Sequence, residues 1–195
     1  MNPSMERTAL ADVPAISLAL ARAFADDPVF AVLFGGPPSL VKATRFFEVM
    51  AQMQYAHGHV YNTPGNEAAA IWAPPGAWRI PPMQIAKRTP ALIGVFGRHL
   101  VGTLGVLNVL EKNHPTEPHY YLEFIGTNPV HQGKGHGAAL MQPMIDQCDR
   151  EGVGAYLESS KESNVAFYGR FGFETTKVIT HKAGPQQWLM WRDPK

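Results

Sequence analysis

A single cysteine, Cys148, stands in a chain of 195 residues. It excludes an internal disulfide and suits a reducing, cytoplasmic setting. Excess charge of either sign is lacking too: 17 Lys and Arg face 16 Asp and Glu, for a net charge of +1. Without a basic field, nucleic acid is not an expected partner. No apolar run reaches the roughly 18 residues of a spanning helix, so no membrane segment is expected. The apolar stretch from Ala9 to Phe24 is not leader-like, because Asp12 and Pro14 interrupt it and Asp26-Asp27 close it. Asp12 as N-cap with Pro14 in the first turn describes an amphipathic helix instead. The eight histidines show neither HExxH nor Cys/His ligand spacing, so no metal site is expected. Internal repeats and low-complexity tracts are absent as well.

What is present is glycine in one telling place. Gln132-Gly133-Lys134-Gly135-His136-Gly137 follows the apolar run Tyr120 to Thr127 and precedes a helical pattern that lasts to about Glu151. Strand, glycine loop and helix leave backbone N–H groups unpaired at a positive dipole end, a receptacle for phosphate or pyrophosphate. The dinucleotide fingerprint does not fit, since Gly133, Gly135 and Gly137 are spaced two apart and lie far along the chain. The nucleotide P-loop does not fit either: Gly135 follows Lys134 where a hydroxyl for magnesium is required.

The rest reads as one domain over residues 1–195, large enough to bury roughly 70% of its unfolded surface. A short strand near Glu6 to Thr8 precedes the first helix, and a second helix runs from Ser39 to His57. His59 to Asn62 and Ala68 to Trp72 read as strands turned at Pro64-Gly65-Asn66. Pro74-Pro75-Gly76 and Pro81-Pro82 then break regular structure. Met83 to Glu111 is helical in two pieces divided between Gly94 and Gly102. After the glycine loop come a strand at Ala155 to Glu158, a short helix at Tyr168, and strands Phe173 to His181 and Gln187 to Arg192. Lys182-Ala183-Gly184-Pro185 turns that last pair. Cys148 falls on the apolar side of its helix and is expected in the core. Periodicity alone gives mixed α and β.

Two motifs carry a resemblance. Gln-x-x-Gly-x-Gly after a strand resembles the acetyl-CoA loop of the GNAT acyltransferase superfamily. Asn164-Val165-Ala166-Phe167-Tyr168-Gly169-Arg170-Phe171-Gly172-Phe173 is similar to the family's later helix signature. The likeness extends to puromycin N-acetyltransferase-like bacterial members through Ala23 to Pro28, Ala68 to Pro75 and His114 to His119. It is loose between Gly76 and Asn113. The resemblance implies an α/β fold: a mixed, mostly antiparallel central sheet with helices on both faces, in three αβα layers. It also implies acetyl-CoA as cofactor and a small-molecule amine as partner; a monomer and a homodimer both fit.

Acyl transfer from a thioester needs a held cofactor, a free amine and an acid for the departing thiolate. Gln132, Gly133, Lys134, Gly135, His136, Gly137 and Ala138 are expected to hold the pyrophosphate, through their backbone amides from Gly133 onward. Lys134 either adds a charge there or sits in solvent. The resemblance adds main-chain contacts from Ile125, Gly126 and Thr127 along the pantetheine arm. It also makes Tyr168 the acid, with a phenol pKa near ~10, and puts Asn164 beside the cofactor or at a helix cap. Glu123 and Glu158 are the candidate bases. On regular alternation Glu123 shares a face with Tyr121 and Ile125. Puromycin-type relatives tend to carry a small or apolar residue at the position of Glu123, and an acid at that of Glu158. His119 reads as a loop histidine at the strand's start. Phe24, Asp27, Phe30, Trp72 and Trp78 are expected to form the substrate pocket, as aromatic walls and one anion. The alternatives are a non-catalytic acyl-CoA-binding module, and transfer to a protein N-terminus or lysine.

Overall fold

All six residues from Ala68 to Ala73 are buried, as a strand covered on both faces requires. They are the third strand of a sheet composed of β1 (Glu6–Arg7), β2 (Val60–Asn62), β3 (Ala68–Ala73), β4 (His119–Thr127), β5 (Gly154–Ser159), β6 (Glu174–Thr180) and β7 (Gln186–Arg192). The strand order is β1-β2-β3-β4-β5-β7-β6, antiparallel throughout except between β4 and β5. The computed structural model describes residues 3–79, 81–182 and 184–195; Ala183 of the expected last turn lies outside them.

One face of the sheet carries α1 (Val13–Ala23), α2 (Pro28–Phe34), α3 (Leu40–Gln54), α4 (Pro82–Phe96) and α5 (Leu100–Asn113). Their apolar sides meet Ala69, Ile71 and Phe124. The other face carries α6 (His136–Glu151) and α7 (Val165–Gly169). There Leu140, Met141, Met144, Ile145 and Cys148 lie on Ala68, Ala70, Trp72 and Leu122. The two sets of β3 residues alternate, as a period of two demands. The expected three-layer fold is the one observed.

Local chemistry sets the helix ends. Asp12 precedes α1 but makes no cap bond; its Oδ1 instead accepts from Asn66 Nδ2 at 3.2 Å. The expected N-cap position is kept, with Pro14 in the first turn, but without the cap bond. α2 is absent from the reading above because seven apolar residues offer no periodic contrast. Its signals are Asp27-Pro28 at the start and Gly35, with φ of 70°, at the end. His119 is not in a loop. It opens β4, and its side chain is buried.

One irregularity positions everything that follows. Ile71 pairs with Phe124, but the next residue, Trp72, pairs with Leu122. Glu123 is therefore an extra residue, a β-bulge. Beyond it the alternation is reversed: Phe124 faces the α1–α3 side and Ile125 the α6 side. The expectation that Glu123 and Ile125 share a face is corrected on this ground. Parallel pairing of β4 with β5 also ends at Leu122–Leu157, so the last five residues of β4 part from β5.

Candidate active site

Where β4 and β5 separate, the sheet opens into a cavity of about 1510 Å3. That exceeds the roughly 300–1,000 Å3 of a single small-ligand pocket. Two ligands in line are accommodated better than one. The glycine loop, the bulge, α7 and the helices above the sheet all contribute to its wall.

At one end, the glycine loop enters α6. Gly133 and Gly135 adopt φ of 76° and 86°, a region costly for side chains bearing a Cβ. The amide of Gln132 bonds to Pro129 and that of Ala139 to Gly135. Among the described residues, none accepts a hydrogen bond from the amides of Gly133, Lys134, Gly135, His136, Gly137 or Ala138. Unpaired amides at the start of a 16-residue helix form an anion cradle. Gln132 ties the loop to the sheet, donating from Nε2 to the Thr127 carbonyl at 3.3 Å. Lys134 is exposed. Gly137 has a packing reason as well: a Cβ there would meet Phe167 at 3.1 Å. Gly126 is held by sterics alone, since its Cβ would come within 2.7 Å of Ala23 Cβ in α1. Ile125, Gly126 and Thr127 all line the cavity along the unpaired edge of β4. The geometry therefore fits a long pyrophosphate-bearing cofactor: anion donors at one end, a free strand edge along the middle.

Tyr168, on α7, is 8% exposed and also lines this cavity. Its hydroxyl makes no hydrogen bond to another described residue. Burial, with the nearby Asp27 carboxylate second, raises its pKa, so it stays protonated throughout the neutral range. Asn164 precedes α7, yet its side chain makes no cap bond and stands at the cavity wall. Asp27 lines the cavity as expected and is a structural cap as well. Its Oδ1 accepts from the amides of Val29 and Phe30 at 2.9 Å each, and its Oδ2 accepts from the Ser160 hydroxyl. With these bonds made, Asp27 joins α2 to the loop after β5.

At the opposite end two carboxylates point inward. The bulge swings Glu123 toward α3, where Gln54 Nε2 donates to its Oε1. Its Oε2 is out of solvent and unpartnered. Burial is the main cause that raises the Glu123 pKa to about 8, with the charge of Glu158 adding to it. Glu158, on β5, accepts from the Tyr121 hydroxyl at 2.7 Å through Oε2. Its Oε1 is buried without a hydrogen-bond partner and lies 3.8 Å from His114 Nδ1. The sequence reading missed His114, whose ring stacks on Trp78 with centroids 3.8 Å apart. Its partner Glu158 is 44 positions away, so local spacing gave no signal.

Phe24 and Phe30 line the cavity and stack in an aromatic cluster with Phe46, Phe47 and Phe124. Leu92, Phe96, Leu100 and Leu110 of α4 and α5 extend the apolar wall. Trp78 lines the cavity through its stack on His114. Trp72 does not. It is wholly buried against α6, on the far side of the sheet, which corrects its assignment to the pocket. Among the described residues, no group of His, Cys, Asp and Glu is arranged to hold a metal ion.

Comparisons with known proteins agree with this geometry. A stretch of 54 residues is 43% identical to an uncharacterised N-acetyltransferase of Schizosaccharomyces pombe, covering 28% of this chain and 22% of that protein's length. Among solved structures, a Corynebacterium glutamicum protein described as histone acetyltransferase HPA2 and related acetyltransferase is similar over 100% of this chain and 98% of its own. Its TM-score is 0.76 at 27% identity. Arylalkylamine N-acetyltransferase 2 of Aedes aegypti shares the fold over the full length of both chains, with a TM-score of 0.67 at 13% identity. The sequence profile of the GNAT acetyltransferase family matches residues 59–173, which takes in the bulge, the glycine loop and Tyr168. The chain is thus an acetyltransferase of the GNAT family.

Proposed function

We propose that the protein transfers an acetyl group from acetyl-CoA to the primary amine of a small molecule by direct attack within a ternary complex. One observation carries this reading: five unpaired amides, a free strand edge, a protonated phenol and two inward carboxylates share one cavity. Bound there, the coenzyme supplies a thioester. The amides of Gly133 to Ala138 hold its pyrophosphate, and the open edge from Phe124 to Thr127 lies along its arm. Tyr168 provides the proton for the departing sulfur. Glu158 takes the proton that the acceptor ammonium must lose before its nitrogen can attack. Glu123, with a pKa of about 8, is mostly protonated at neutral pH and serves beside it as a hydrogen-bonding group.

The apolar walls of α4 and α5 favour a small acceptor with an apolar body over a protein chain. The likeness to puromycin N-acetyltransferase-like members puts puromycin on the panel of acceptors. Arylalkylamines and polyamines belong there too. The test is thiol release from acetyl-CoA across that panel, with thermal stabilisation by coenzyme A measured in parallel. Amine-dependent thiol release is the expected outcome. Stabilisation with no release for any amine would instead make the chain an acyl-CoA-binding module.

A further inference from the structure

Two histidines behind Glu158 form a hydrogen-bonded path with a fixed direction. His119 Nδ1 lies 2.6 Å from the Glu117 carbonyl oxygen. A carbonyl only accepts, so Nδ1 carries a hydrogen. Burial holds the His119 pKa below its ordinary value, which leaves the ring neutral and its Nε2 bare. That bare nitrogen is 3.0 Å from His114 Nε2. One of the two must donate, and only His114 can. His114 therefore keeps its hydrogen on Nε2, and Nδ1 is the nitrogen with a free lone pair. Nδ1 faces Glu158 Oε1, with the two side chains 3% and 4% exposed.

We propose that His114 is the resting place of the proton lost by the acceptor amine, with Glu158 passing it on. An N–H bond of the ammonium breaks, its electron pair stays on nitrogen, and the proton moves to Glu158 Oε1. The new O–H bond then breaks toward His114 Nδ1, whose lone pair forms an N–H bond. An imidazolium beside a carboxylate is left. The relay deepens the acetyl-transfer reading and rests on it.

The surroundings favour that charged ring. Trp78 presents its face to His114 with the two planes 24° apart, the arrangement that attracts a cation. From β4, Tyr121 meets the ring edge-on at 4.8 Å, and from β5 Tyr156 does so at 4.9 Å; both are neutral phenols. Glu123, the other carboxyl group near Glu158, is mostly protonated at neutral pH and adds little charge of its own. The nearby cation is Arg79, whose charge is offset by Glu111 of α5 at 3.9 Å. Arg79 lies over the Trp78 ring, 4.7 Å from its centroid.

Because His114 acts through Glu158, it is a positioning residue, and pH separates this role from a structural one. In His114→Gln, kcat is expected to fall roughly 10- to 100-fold, with the acidic limb of its pH profile displaced. The KM for acetyl-CoA should stay within about twofold. Combining His114→Gln with Glu158→Gln should cost no more than Glu158→Gln alone, as for residues acting as a unit. An unmoved acidic limb, or losses that multiply, overturns the relay. Ring 15N spectra of the unaltered protein test it without any variant. Nε2 of His114 should carry the hydrogen in the neutral ring and Nδ1 should take up the second proton; the opposite tautomer overturns the relay. Inactivity of the unaltered protein toward every amine would sink the acetyl-transfer reading, while the spectra still decide the hydrogen arrangement.

Discussion

Tyr168 is the residue whose place was most legible beforehand, because a motif marks it and the fold then buries it against the cavity. Replacing it with Phe keeps the ring's contacts with Phe167 and Phe173 and removes only the proton donor. Steady-state kinetics should show kcat lowered by roughly 10²-fold or more with little change in the KM for acetyl-CoA. Unchanged turnover would remove Tyr168 from the acid's role. Glu123 makes a prediction about stability. Its folded pKa of about 8 lies above its ordinary value of 4.5. Between these values the unfolded chain releases a proton that the folded protein retains, so stability falls as pH rises through this window. Glu123→Gln removes that slope. Denaturation midpoints at about pH 5 and pH 9 should show the variant gaining on the natural protein by on the order of a few kcal/mol at the higher pH. The capping role of Asp27 was overlooked because its charge drew attention away from its position. An aspartate directly before Pro28 is itself a helix-start signal, and both amides it could cap are bonded to it.

Among the elements, the long ones were readable and the irregular ones were not. The helices ending near His57 and Glu151 repeat their apolar residues at the proper period, and the structure places them, with the strand pair closing the chain, within a few residues of expectation. A bulge leaves no such mark. In Tyr120-Tyr121-Leu122-Glu123-Phe124-Ile125 every position but one is apolar, so the pattern accommodates either register. Gly126 shows how tightly β4 and α1 were fitted afterwards. In Gly126→Ala the new methyl would press on Ala23 and Leu20, 2.7 and 3.2 Å away. Neither helix nor strand can yield there without moving the other. A loss of about 1–3 kcal/mol is expected in chemical denaturation. A variant as stable as the natural chain would mean that α1 shifts freely.

At the scale of the whole molecule, the cavity lies where the bulge in β4 meets the end of its pairing with β5. Periodicity gave mixed α and β, and the overall αβα arrangement followed from the resemblance. The meeting of His114, Glu158 and Glu123 did not, since it depends on three chain segments converging beneath α5. The extra residue in β4 therefore acts as a parity switch. Substituting Glu123 changes chemistry but leaves the count intact, whereas deleting it would set Phe124 directly after Leu122, on the face it already occupies, and remove the bulge. The strand would then be free to zip onto β5 as far as Ser159, closing the gap. Such a deletant is expected to lose coenzyme binding altogether, and evolution in this stretch should tolerate exchanged letters far more readily than a missing one.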